Sequence, residues 1–430
     1  MTCIRRIRSN VMFRLGAFAG VALCSALLLS VRLSLAQGGD MDWPHCEGAD
    51  PDLSIAGCTA ILKSEQDPEN LAVAYNNRGI AYDHKGQQDQ AISDFAHAIQ
   101  IKPDYAGAYN NRANVYASRG QLDQAIADYN QSIHLKPDDA DAYNDRGNAY
   151  TAKGQFDLAI TDYSQALQLR QDFAEAYSNR GNAYSGAGRQ DEAIADYNSA
   201  LRLNPQDAGT LDNRGIAYLA LGELDLAIAD FDTTLRLKPD NASAYNDRGL
   251  AHHGRGEDEL AIADFNYALQ LQPKMAEAYN NRGTAYRAQG RLHAALADFD
   301  HALQLKPEYA EALANRCLAR AIAGMLQLAL EDCNRSLLLH ADVPIALDAR
   351  ALTYLKMKKP AAALADYNSA LGINPRRSIS LYGRALAERM QGDSTASAAD
   401  IAAATAIRPA VADEFAQWGI LPDTAAGPGH

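Results

Sequence analysis

Tryptophan appears only twice in these 430 residues, and basic residues number 40 against 53 acidic ones. The net charge of −13 repels phosphate backbones and anionic headgroups, so nucleic acid is not expected as a partner. Signatures of catalysis and metal binding are missing too. There is no HExxH, no paired-cysteine metal spacing and no phosphate-cradling GxxxxGK, and the ten histidines are scattered. His252 and His253 are neighbours, so they point to different sides of a helix, and His252 stands where a packing aromatic is expected. Neither an enzyme nor a cofactor is expected.

Acidic residues are absent from the first 36 positions, which carry Arg5, Arg6, Arg8, Arg14 and Arg32. Losing those five positive charges would take the net charge from −13 to −18. The basic start, the apolar run Leu15–Val31 and the small residues of Ser34-Leu35-Ala36 read as a secretory signal over residues 1–36, with the mature chain in a periplasm or secreted. The alternative is an uncleaved anchor in the inner membrane, since 17 residues is the short edge of a bilayer span. No other stretch is long and apolar enough to insert once the signal is gone.

The chain repeats itself. Stepping by 34 from Arg78 meets arginine at 112, 146, 180, 214, 248, 282, 316, 350 and 384. The same step from Asp94 meets aspartate at 128, 162, 196, 230, 264, 298, 332, 366 and 400. Ten repeats therefore run from residue 72 to about 411, behind a cap segment at 37–71 and ahead of a cap helix and disordered tail at 412–430. In the second repeat (106–139), Tyr109, Arg112, Ala113 and Tyr116 share one helix face, and Gly120 marks a left-handed stop. Asp123 opens a second helix, whose stripe is Ala125, Tyr129, Ser132 and Ile133, and Pro137 ends it. A helical hairpin this small cannot bury both faces alone, so the repeats must stack.

This pattern resembles the tetratricopeptide repeat family. In the first repeat the matching residues, at positions 4, 8, 11, 20, 24, 27 and 32, are Tyr75, Gly79, Tyr82, Ala91, Phe95, Ala98 and Pro103. The resemblance implies an all-α fold, a right-handed α-solenoid superhelix of about ten helix–turn–helix repeats. The first helix of each pair would line a concave groove, and the partner would be a protein or peptide. Repeat eight departs from the pattern with Leu313, Cys317, Arg320, Cys333 and Ala341, as does repeat ten with Glu388, Ser397 and Ile401. Residues 52–64 look like a lone second helix that caps the N-terminal end.

Arginine at position 7 and aspartate at position 23 sit at one height on the two helices and are expected to form an ion pair, within a repeat or across a boundary. Position 6 reads Asn77, Asn111, Asp145, Asn179, Asn213, Asp247, Asn281 and Asn315. A side-chain amide both donates and accepts, so such a ladder suits the backbone of an extended guest. It is similar to the asparagine ladder of O-linked N-acetylglucosamine transferases. The other reading is that these residues solvate the groove or bond the neighbouring repeat. Position 9 turns from Asn114, Asn148 and Asn182 to Leu318, Leu352 and Leu386, which suggests an apolar anchor at Leu318 and Leu352, or burial against the chain's own tail. Groove positions of the first six repeats carry no lysine or arginine, so a clamp for a terminal carboxylate is not expected, and an open stack is not expected to hold a deep pocket.

Four cysteines follow the signal. Cys317 and Cys333, at positions 8 and 24, are symmetric about a turn and should face each other, while Cys46 and Cys58 flank the turn before the cap helix. Disulfides Cys46–Cys58 and Cys317–Cys333 are expected, with a pair of buried thiols as the alternative for the second. Together these features describe an exported, non-catalytic scaffold that holds an extended partner segment. Self-association, or service as an accessory subunit of an envelope assembly or secretion machine, is the other reading.

Overall fold

The computed structural model describes residues 39–420, so the expected signal and the last ten residues lie outside it. Among the described residues there are twenty-three helices and no strand, and none of these helices is long and apolar enough to cross a membrane. The chain divides into two compact segments, one ending at Lys153 and one beginning at Gly154.

The first segment opens on two helices, Gly39–Cys46 and Pro51–Ser64. A lone helix was expected here; the structure shows a hairpin. Asp50 caps the second helix, accepting from the backbone N–H of Asp52 and Leu53 at 2.9 and 3.1 Å, and Pro51 gives up no hydrogen bond at the first helical position. Cys46 Sγ is bonded to Cys58 Sγ. Both cysteines are buried with Ile61 and Ala74, so the hairpin covers the face that the first repeat would otherwise expose. Repeat one follows as Pro68–His84 and Gln88–Ile101, repeat two as Ala106–Ser118 and Leu122–Leu135, and then the first helix of repeat three, Ala140–Ala152.

The second segment continues with Phe156–Leu169 and the hairpins of repeats four to ten, from Ala174–Gly186 to Ser394–Ile407, and ends on the short helix Val411–Gln417. In both segments second helices pack on the first helix of the next repeat, and successive first helices touch. The turns inside the hairpins share one device: the residue at position 15 has positive φ, 73° at Gly120, for example. Repeat nine uses Lys358 there, at φ 57°. Asp123 is not a cap: Gln121 holds that place without a side-chain bond, and Asp123 pairs with Lys153.

In repeats one, four, five, six and seven the hairpin closes where a glycine at position 8 meets the ring at position 24. A Cβ on Gly79 would stand 2.7 Å from the Phe95 ring, and one on Gly181 would stand 2.6 Å from Tyr197, so glycine is what lets the two helices approach. In repeat eight that contact is replaced by a covalent one, the Cys317–Cys333 disulfide, with its Cα atoms 5.5 Å apart.

The arginine ladder is a fork. Arg112 Nε and Nη2 donate to the two carboxylate oxygens of Asp128 at 2.7 and 2.8 Å. The same bidentate pair joins Arg78 to Asp94, Arg180 to Asp196, Arg214 to Asp230, Arg248 to Asp264, Arg282 to Asp298, Arg316 to Asp332, Arg350 to Asp366 and Arg384 to Asp400. The remaining arm reaches back to the second helix of the preceding repeat: Arg214 to Asn198, Arg282 to Asn266 and Arg350 to Asn334. The fork therefore spans both alternatives, within a repeat and across a boundary. Burial disfavours a charged guanidinium, but the aspartate bonds raise the Arg112 and Arg214 pKa above the ordinary arginine value. The guanidinium also lies over Tyr109 and Tyr116, 5.8 and 5.9 Å from the ring centroids, which is why tyrosine recurs three before and four after it.

Candidate functional site

Position 6 lies on the face formed by the first helices, and its amides are already engaged. Asn111 Nδ2 donates to Asn76 Oδ1 of the preceding repeat at 2.9 Å. Asn281 donates to Asn246 and Asn315 to Asn280 at the same distance, and Asn213 donates to Asn182. Position 5 supplies three of these acceptors and position 9, at Asn182, the fourth, roles that sequence reasoning missed because a helix-face angle does not say which neighbour an amide meets. Asn77, Asn111, Asp145, Asn179, Asn213, Asp247 and Asn281 remain partly exposed, whereas Asn315 is buried. The network leaves acceptors over: Asn110 Oδ1 and Asp212 Oδ1, both at position 5, are buried with no donor.

Repeats five and six place carboxylates, Asp212 and Asp247, where repeats one and two place amides. Asp247, at position 6, has its pKa pushed up to about 6, first by burial and further by the charge of Asp212, against an opposing bond from Asn246. Burial raises Asp212 as well. The folded chain therefore keeps a proton that the unfolded chain releases near pH 4, so stability falls as pH rises from about 4 to 6. Asp247→Asn is expected to stabilise the protein by about 3 kcal/mol at pH 7 and to change nothing below pH 4. Chemical denaturation of both proteins at the two pH values measures this.

Leu318 and Leu352 are not an open apolar anchor. They are 6% and 1% exposed, in one cluster with Leu386, Val411 and Phe415, against which Trp418 and Ile420 pack. The helix Val411–Gln417 brings those residues over the late repeats, and nothing periodic in the sequence announces where it docks. Nor is this end free of pockets: a cavity of about 590 Å³ lies among the late repeats and the C-terminal residues, with Leu318, Leu352 and Trp418 in its wall.

A second internal bond links the two helices of a hairpin. Tyr197 Oη at position 24 donates to Asn182 Oδ1 at position 9, 2.9 Å away, and Tyr129 does the same to Asn114. His252 packs as a hydrogen-bonded side chain, its Nδ1 2.8 Å from Glu257 Oε2, and among the described residues no three His, Cys, Asp or Glu are placed to hold a metal ion.

Family models agree with this architecture. One described as a tetratricopeptide repeat matches residues 72–105, 174–207 and 276–309. Others of that description match 95–127 and 213–276 and 349–412, and one described as a TPR repeat matches 113–151 and 147–188. No curated protein matches the chain. Among solved structures, the Cut9–Hcn1 hetero-tetramer of APC/C is 15% identical, covers 84% of this chain and 88% of its own, and has a TM-score of 0.51. A tetratricopeptide repeat protein from Parabacteroides merdae is 20% identical over 58% of this chain and 98% of its own, with a TM-score of 0.50. At such identities the likeness is one of fold. The hairpin period, the glycine–ring closure and the family matches agree, and the chain belongs to the tetratricopeptide repeat family.

Proposed function

We propose that the protein is a non-catalytic scaffold that binds an extended polypeptide segment along its first-helix face. The observation that carries this reading is the pair of buried, donorless acceptors, Asn110 Oδ1 and Asp212 Oδ1. A buried acceptor without a donor costs free energy, on the order of 1–3 kcal/mol, and a guest backbone N–H would recover it. The position-6 residues Asn77, Asn111 and Asp145 complete that face in the first segment, and Asn179, Asn213, Asp247, Asn281 and Asn315 complete it in the second. Leu318 and Leu352 would contribute only once Val411–Gln417 moved aside.

Peptides selected from a random displayed library on the purified chain are expected to bind at least about tenfold more weakly to Asp212→Ala and Asn110→Ala, a loss of at least about 1.4 kcal/mol. Circular dichroism would control for folding. Equal affinity for the variants would remove the first-helix face from the binding reaction.

We also propose that the chain is exported. Two disulfides suit an oxidising compartment. N-terminal sequencing of protein purified from the native envelope is expected to begin at Gln37, whereas a start at Met1 would indicate the membrane-anchored alternative.

A further inference from the structure

The cavity at the C-terminal end holds two polar groups with no hydrogen-bond partner, Tyr367 Oη and Arg287 Nε. Tyr367 stands at position 24 of repeat nine and is fully buried. In repeats two and four that tyrosine donates to an asparagine at position 9, and in repeat four the same asparagine also accepts from position 6 of the next repeat. Repeat nine lacks both amides. Position 9 is Leu352, and position 6 of repeat ten is Gly383, whose added Cβ would lie 2.4 Å from Tyr367 Oη. Elsewhere in the chain, repeats without an asparagine at position 9 carry no hydroxyl at position 24: phenylalanine (Phe95, Phe231, Phe265, Phe299), the disulfide Cys333 or Ile401 stands there. A hydroxyl has thus been kept where its protein partners were removed.

Arg287 is the other anomaly. Its guanidinium lines the cavity with no carboxylate bonded to it, its Nε is sealed from solvent, and burial pulls its pKa below the ordinary arginine value. The carboxylates in the wall are taken: Asp348 accepts from Arg377 and Ser380, and Glu414 accepts from Arg408. The cavity therefore offers spare donors beside an apolar wall of Leu318, Ile322, Leu352 and Trp418. Its volume of about 590 Å³ is that of a small-molecule site, and Trp418 and the C-terminal helix form one side of it.

We propose that this cavity binds a small organic acid, its apolar body against the leucines and Trp418 and its oxygens accepting from Arg287 and Tyr367. The cavity shares only Leu318 and Leu352 with the residues proposed for peptide binding, and its test turns on Arg287 and Tyr367, so either proposal can fail without the other. Titration calorimetry of the mature chain with octanoate is expected to show saturable binding, absent for octanamide. Arg287→Gln should weaken it at least about tenfold and Tyr367→Phe about threefold. Each variant removes an unsatisfied group and not a bond, so both should melt no lower than the wild type, and octanoate should raise the melting temperature of the wild type most. No saturable binding of octanoate or phenylacetate at millimolar concentration, or equal binding to Arg287→Gln, would overturn the assignment. So would binding through Arg287 of only a pentapeptide with a free C-terminal leucine, which would make the ligand a chain terminus.

Discussion

Replacing Asp332 by alanine is expected to cost 3–5 kcal/mol, roughly the loss seen when one member of a buried ion pair is removed. Asp332 serves two arginines at once. It accepts from Arg316 Nε and Nη2 at 2.8 and 2.6 Å and from Arg320 Nη1 at 2.7 Å, and its side chain is only 5% exposed. Truncation leaves Arg320 without a carboxylate and Arg316 with only Asp300 of the preceding repeat, and the desolvation already spent on these mostly covered guanidiniums is no longer fully offset. Asp332→Asn keeps an acceptor and should lose less. Arg316→Met combined with Asp332→Leu removes the charges together and should recover part of the loss. Because each repeat contacts only its neighbours, the damage is local, and hydrogen exchange should quicken first over Ala310–Leu339. A cost below about 1 kcal/mol for Asp332→Ala would show the ladder to be peripheral to stability, as exposed ion pairs are.

Breaking the Cys317–Cys333 bond is the second large effect. The bridge closes a loop of sequence separation 16, for which constraint of the unfolded chain amounts to about 3 kcal/mol. Cys317→Ser with Cys333→Ser should lose that amount and leave a hole as well, since both sulfurs are fully buried. Cys317→Gly with Cys333→Phe should do better, because it rebuilds the contact seen between Gly283 and Phe299 in the preceding repeat. Melting curves decide this: the glycine–phenylalanine variant should lie above the double serine and should lose less on adding reductant than the wild type. Identical behaviour of the two variants would mean that repeat eight does not need the position 8–position 24 contact at all.

The ladder was legible because it is periodic. Arg78 and Asp94 recur with their spacing intact, and two helices of fixed rise place such residues at one height whatever surrounds them. The glycine and aromatic residues were legible for the same reason, and so was the facing of Cys317 and Cys333. What a period does not encode is direction. Asn111 and Asn281 were placed on the correct helix, but whether their amides meet a guest or Asn76 and Asn246 depends on how neighbouring helices sit, which one repeat does not specify. Non-periodic pieces were harder still. Gly39–Cys46 was not read as a helix, and Val411–Gln417 carries no mark of its docking site, so Leu318 and Leu352 looked open when they are covered. Tyr367 and Leu352 did leave a trace in the sequence: tyrosine at position 24 travels with asparagine at position 9 in repeats two, three and four, and repeat nine breaks the partnership.

The backward arm of the arginine fork has a bearing on how such a chain changes length. Arg214, Arg282 and Arg350 each grip an asparagine on the same helix of their predecessor, and Arg248 and Arg316 an aspartate at that place, so joints of one kind are interchangeable. Loss or duplication of one whole period there would bring together two surfaces that already know how to mate. An indel of any other size would leave a guanidinium facing the wrong turn. Genetic drift in copy number is thus channelled into steps of a single hairpin, with the disulfide-bridged hairpin and the two capped ends as the fixed points.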